Sequence, residues 1–151
     1  MYEKTERYSV EAIPGRGFEI RGVWQDDVHD IHTRILVDIK SSEIAEAEAQ
    51  GSSVPFAICH EGMKCIKSIE GIKIGPGLTK AVYQELTGEK GCIHLAELVV
   101  NSVKALIQAV SREIPDWMDD DAYINKFFEM EKLYRNKCVY FSQPKAYTAN
   151  S

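Results

Sequence analysis

The stretch Gly88-Glu-Lys-Gly-Cys92-Ile-His94-Leu-Ala-Glu97-Leu-Val-Val-Asn-Ser-Val-Lys-Ala-Leu-Ile-Gln-Ala-Val110 decides the fold. Leu95, Leu98, Val99, Ser102, Leu106 and Ala109 recur at the three- and four-residue steps of one helical face. Ile93, Val100, Val103 and Ile107 widen that face until only Glu97, Asn101, Lys104 and Gln108 form a polar strip. A helix that is apolar around most of its circumference must be covered on most sides, so the pattern predicts the central helix of the molecule. Gly91 permits a sharp turn ahead of it and is expected to place Cys92 in the first turn. There, unpaired backbone N–H groups and the positive end of the helix dipole suit a thiolate.

Working outward toward the N-terminus, Tyr8–Ile13 alternates, Pro14-Gly-Arg-Gly17 has turn composition, and Gly17–Trp24 spaces Phe18, Ile20 and Trp24 with polar or small residues, which predicts a hairpin. Gln25–His32 reads as a polar loop, and Thr33–Ile39 as a β-branched strand. Ile44–Gln50 alternates Ile and Ala with Glu. Helix propensity of Ala and Glu argues one way and strict period-two alternation the other; the alternation predicts a strand with one wet face. Beyond Gly51–Pro55 the period changes. A short helix is expected over Ile58–Ile69 with Ile58, Met63, Ile66 and Ile69 apolar, then a second over Leu78–Thr87 that stops at Gly88. The central helix is expected to end near Ile114-Pro115, and Asp119-Asp120-Asp121 to open another that runs to about Lys137. The expectation is an α+β fold in a single domain over residues 1–151: strands over about 8–50 forming an antiparallel sheet of about four, then helices over about 57–137 packed on it.

Composition narrows the function classes. A net charge of -5 and a pI near 5.4, with no run of Lys or Arg, weigh against nucleic acid and anionic membrane surfaces as partners. The first residues lack the apolar core of a signal peptide, and no uninterrupted apolar run has membrane-spanning length. Four cysteines without a secretory signal read as reduced thiols or metal ligands rather than disulfides, so a cytoplasmic protein is expected.

The candidate chemistry lies in those thiols and in the histidines. Cys59 and Cys92 each precede or open a helix and form a plausible pair of soft ligands, with His29 or His32 of the inter-strand loop completing a metal site and His94 as its neighbour. Zinc or an iron–sulfur cluster is the kind of group such a set takes. Cys65 lies six residues from Cys59, roughly 240° round a helix, and reads as core. A nucleophile–base pair of Cys92 and His94 is the enzymatic reading. Residues two apart on a helix diverge by about 200°, so the pair meets only if Cys92 stands outside the helix. The alternative to metal binding is a non-enzymatic interaction module with structural cysteines, working on a protein partner or a second copy of itself. Gly71–Gly77 lacks the Lys-Ser/Thr of a phosphate loop, Asp116 and Asp119–Asp121 lack calcium-loop spacing, and Trp24 and Trp117 read as packing anchors.

Two resemblances follow from these residues. Ile31-His32-Thr-Arg-Ile-Leu-Val-Asp-Ile, Glu46-Ala-Glu48 with Cys59, Ile69-Glu-Gly-Ile-Lys-Ile-Gly75 and Gly91-Cys92-Ile-His94-Leu-Ala-Glu97-Leu resemble an uncharacterised bacterial family, domain of unknown function twenty-eight eighty-nine, over roughly residues 15 to 110. That family reads Thr where this chain has Ile93. It implies that His32, Cys59, Cys92 and His94 belong together, and it implies no activity. More distantly, strands followed by a cysteine-led helix and then by Cys92 ahead of Leu95-Ala96-Glu97 resemble iron–sulfur scaffold proteins of the NifU/IscU type. Cys59 and Cys92 fall there at cluster-ligand positions, whereas the scaffold's first cysteine has no counterpart and Gly91 replaces its histidine.

Overall fold

The computed structural model describes residues 1–110, 132, 134–139 and 141–143. The chain falls into two compact units, Met1–Ala109 and Val110–Ser151.

In the first unit β1 (Thr5–Ile13), β2 (Gly17–Gln25), β3 (Asp30–Asp38) and β4 (Ile44–Ser53) form one sheet in the order β1-β2-β3-β4, each pair antiparallel. Neighbours in sequence are neighbours in space, the meander that short turns between alternating segments impose. The strands are sided by their pleat. Phe18, Ile20, Gly22 and Trp24 pair with Val37, Ile35, Thr33 and Ile31, and these line the buried face. Ala47 and Ala49 extend that face across β4, while Glu46 and Glu48 take the other side. One irregularity interrupts the alternation. Leu36 pairs with Glu46 but Val37 with Ile44, so Ala45 bulges out of the ladder and is exposed.

The helical half contains α1 (Cys59–Met63), a 3-10 segment over Lys64–Ile69, α2 (Leu78–Leu86) and α3 (Ile93–Val110). The α+β arrangement is therefore that expected. α3 has the length and apolarity of a membrane-crossing helix, with mean hydropathy 1.3. Here its apolar residues Leu95, Ala96, Leu98, Val99, Val100, Val103 and Leu106 are buried. Gly22 is the reason α3 can lie close to β2. A Cβ at that position would stand 2.7 Å from Thr33 Oγ1, 2.8 Å from Ser102 Oγ and 3.2 Å from Leu98 Cδ1. At the first strand, Asn101 Nδ2 of the polar strip donates to Glu6 at 3.1 Å.

Three local expectations change. β3 begins at Asp30, so His32 belongs to a strand rather than to the loop before it. The Ile58–Ile69 helix divides into α1 and the 3-10 segment, and Ile58, expected to be on the apolar face, is 72% exposed. Cys92 precedes α3 instead of lying in its first turn. The end expected at Ile114-Pro115, Trp117, and the helix from Asp119 to about residue 131 lie outside the described residues. In the second unit the Tyr134 ring stacks on Phe141 at 5.7 Å, across a turn in which Ser142 Oγ accepts from the Asn136 backbone N–H.

Candidate thiol–imidazole site

The site is built from the β2–β3 loop and the entrance to α3. In the loop, the Asp26 carboxylate accepts hydrogen bonds from the backbone N–H groups of Val28 and His29 at 2.9 and 2.7 Å. An aspartate bonding the backbone two and three residues ahead is the usual way such a side chain fixes a tight turn. Asp26 also accepts from Trp24 Nε1 at 2.9 Å, from the Tyr2 hydroxyl at 3.1 Å and from His29 Nδ1 at 3.0 Å. Burial alone would raise its pKa. The donors from Trp24, Val28 and His29 outweigh burial and hold the carboxyl well below the usual carboxylate range.

An ionised carboxylate accepts only, so His29 Nδ1 is the donor in this hydrogen bond. The His29 side chain is 12% exposed and Asp26 is 3% exposed. Beside His29, with ring centroids 4.4 Å apart and planes tilted by 52°, stands His94 of α3. His94 also meets the Trp24 ring edge-on at 4.9 Å, and Lys4 Nζ lies 4.0 Å from the centre of the Trp24 ring. Burial first, and then the neighbouring His29, lower the His94 pKa below the ordinary imidazole value.

Cys92 completes the row, its Sγ 4.0 Å from His94 Nδ1. The divergence expected for residues two apart on a helix does not apply, because Cys92 occupies the capping position. Its carbonyl accepts from Ala96 at 3.1 Å while its own N–H donates to the Leu86 carbonyl at 2.7 Å. The tight return from α2 into α3 depends on Gly91. A Cβ there would stand 2.3 Å from the Leu86 oxygen and 2.7 Å from Thr87 Cα, so close backbone approach, rather than an unusual φ, demands glycine. Gly62 of α1 covers the other side; a Cβ on it would lie 3.0 Å from the Gly91 oxygen and 3.3 Å from Cys92 Cβ.

Of the residues expected at a site, the structure brings together Cys92, His94 and His29, in series. His32 pairs with Val23 across the sheet and with Asp30 at 2.9 Å, on the face opposite Trp24. Cys59 opens α1, and among the described residues its side chain makes no hydrogen bond, ion pair or ring contact. Among the described residues no three His, Cys, Asp or Glu side chains already surround one point as metal ligands. Sequence reasoning underrated two residues. Trp24, read as a packing anchor, lines the site, and Asp26, read with Asp27, His29 and His32 as a loop that could add a nitrogen or oxygen ligand, is the hub that accepts from Trp24 and His29. Its signal was legible: an Asp three residues before a His, directly after a strand. Cys65, assigned to the core, is half-buried, and its thiol donates to the Gly62 carbonyl at 2.8 Å.

The family model described as Protein of unknown function (DUF2889) matches residues 15–108, which takes in the whole Asp26, His29, Cys92 and His94 row. No curated protein and no solved structure matches the chain.

Proposed function

Because the chain belongs to the DUF2889 family, whose description assigns no activity, we propose its function from the site alone: a small protein that binds one soft or borderline metal ion through Cys92, His94 and His29. The observation that carries this reading is the Asp26–His29 pair. A histidine that donates a hydrogen bond from Nδ1 to a carboxylate has its ring orientation fixed, the outer-shell arrangement that metal-binding histidines use. One thiolate and two imidazoles suit zinc with an open fourth position, and supply too few thiolates for an iron–sulfur cluster. The donors stand in a row, so loading draws Cys92 and His29 toward His94. On this reading the protein works where thiols stay reduced, in the cytoplasm, and Cys59 and His32 lie outside the ligand set.

The test is zinc titration of chelator-treated protein, followed by elemental analysis. About one zinc per chain is expected. Cys92→Ser and His29→Ala are expected to lose it, and Cys59→Ser and His32→Gln to keep it. Retention of zinc by Cys92→Ser overturns the assignment. A second reading, a protein-interaction module, draws on Phe56, Ile58 and Ile93, which are 69%, 72% and 49% exposed and flank Cys59 and Cys92 in sequence. Protein that takes up no zinc, and whose fold is indifferent to Cys92→Ser, favours that reading.

A further inference from the structure

β4 is an edge strand, and its own chain shows what that edge takes. The first half is already covered by an extended segment. Ile44 N–H donates to the Ile72 carbonyl at 3.0 Å, Gly71 N–H to the Ile44 carbonyl at 2.8 Å and Ile74 N–H to the Ser42 carbonyl at 2.8 Å, with Glu43 bridged antiparallel to Lys73. Further along, the Ala47 N–H donates to the Glu70 carboxylate at 2.9 Å, and Lys67 Nζ meets the same oxygen at 3.0 Å. Ala47 first, and then Lys67, hold the Glu70 carboxyl below its ordinary value. Past Ala47 this cover ends. Backbone groups of an antiparallel strand turn alternately toward and away from the neighbouring strand, so Ala49 and Gly51 face the way Ala47 does, away from β3. Among the described residues neither has a hydrogen bond on that side. They open onto a trough of about 610 Å³ walled by Met63, Lys64, Ile66 and Lys67.

We propose that this trough receives an extended acidic segment of a partner protein, which adds to the sheet as a strand beside Ala49 and Gly51. An edge row of free N–H and C=O groups is a template for another strand, and peptide-binding domains seat their ligands by such strand addition. The charge follows from the covered half, where a backbone N–H and a lysine together hold a carboxylate. The wall runs opposite to β4: Glu70 reaches Ala47, while an added Cβ on Gly51 would stand 3.9 Å from His60 Nδ1. Lys64 therefore follows Lys67 along the trough as Ala49 follows Ala47, and the same two kinds of donor recur. Lys64 is paired with Glu61 at 2.8 Å, and both side chains are exposed, so it exchanges partners at little cost. A segment residue opposite Ala49 shares the covered side of the sheet, where the wall stands. Acids at every second position then meet the wall, and the residues between them lie beside Glu48 and Gln50. The surface uses none of Cys92, His94 and His29 and does not rest on the ion reading.

The probe is a blocked, fluorescein-labelled heptapeptide in which glutamate alternates with valine. It is titrated with the full chain by fluorescence anisotropy and, on nitrogen-15-labelled protein, by amide chemical shifts. Saturable binding is expected, with the Ala49 and Gly51 amides shifting most, and the peptide with lysine in place of glutamate is expected not to bind. N-methylation of every second peptide amide, in each of the two frames, tells strand addition from charge attraction alone: one frame should keep binding and the other lose it. Lys64→Glu should weaken binding about fivefold. Ala49→Pro removes an N–H that the β3–β4 ladder does not use and should weaken it about tenfold or more. No saturable binding, equal binding of the lysine peptide or of both N-methylated forms, or shifts centred on β1 overturns the proposal. So does sedimentation showing a dimer that Ala49→Pro dissociates, since a second copy is then the occupant. Lys64 is exposed, so Lys64→Glu still reads the wall if Ala49→Pro does not fold, and unchanged affinity in it overturns the proposal as well.

Discussion

The two faces of the sheet handle charge differently. On the outer face, Glu19 accepts from Arg34 Nε at 2.7 Å and from Arg21 Nε at 2.8 Å, Arg34 Nη1 reaches Glu46 at 3.1 Å, and Arg16 reaches Glu46 at 2.6 Å. Acids and guanidinium groups there answer one another across three strands. Around Trp24 at the covered face, two imidazoles and a thiol follow a single carboxylate, and only His29 is paired with it. The ladder sets acids against guanidinium groups, whereas the row sets one carboxylate beside two imidazoles and a thiol, and that difference in kind is what the metal proposal rests on.

The largest effect that would sharpen the contrast is expected from Asp26→Ala. It strands the part-buried Trp24 and His29 donors and should cost about 3 kcal/mol in urea denaturation, with Asp26→Asn retaining part of that. A loss no greater than that of an outer-face ion pair would erase the difference between the faces. Gly91→Ala pushes a methyl group into the Leu86 carbonyl and is expected to cost about 2 kcal/mol, with faster alkylation of Cys92 as its return turn loosens.

Acid should separate the faces in metal-free protein. The folded pKa of His94 lies below its ordinary value of 6.5, so the stabilisation from keeping it neutral is present above that pH and is lost as pH falls through the lowered folded value. For Glu19, burial raises the pKa, but Arg34 and Arg21 outweigh it and hold the carboxyl below its ordinary 4.5. Its contribution is complete above that pH and disappears only as pH drops through the still lower folded value. Thermal melts from neutral to mildly acidic pH should therefore decline through His94 first, and His94→Gln should flatten that limb without touching the one below. An unchanged limb in His94→Gln would contradict this order. The smallest effect is expected from Glu48→Gln. Glu48 meets Arg34 at 3.7 Å and is 60% exposed, so the change in stability should stay within about 0.5 kcal/mol.

Much of the fold was legible because its signals are periodic. The alternation of Ala47 and Ala49 with Glu46 and Glu48 overruled helix propensity, since a face that must be buried selects period two whatever the residues prefer alone. The α3 stripe was equally plain. The site was legible only in its parts, because its geometry depends on where elements stop. Moving one residue out of α3 turned Cys92 toward His94, and starting β3 at Asp30 put His32 on the far face. Neither boundary leaves a periodic trace. Cys65 looked like core from its apolar neighbours, yet it is half-buried and its thiol donates to the Gly62 carbonyl one turn back.

The simple order of the sheet also bears on how the molecule comes together in time. β1 to β4 pair only with their chain neighbours, so the meander closes through short loops, whereas the Glu6–Asn101 contact spans 95 residues and His94 reaches His29 from beyond α2. Loop-closure entropy makes the sheet quick to form and the docking of α3 late. The imidazole pair is then the last part assembled, and Trp24, in contact with both the meander and His94, becomes an optical clock for it. In a Trp117→Phe background, stopped-flow refolding should show strand formation by far-UV circular dichroism before the Trp24 emission reaches its final value.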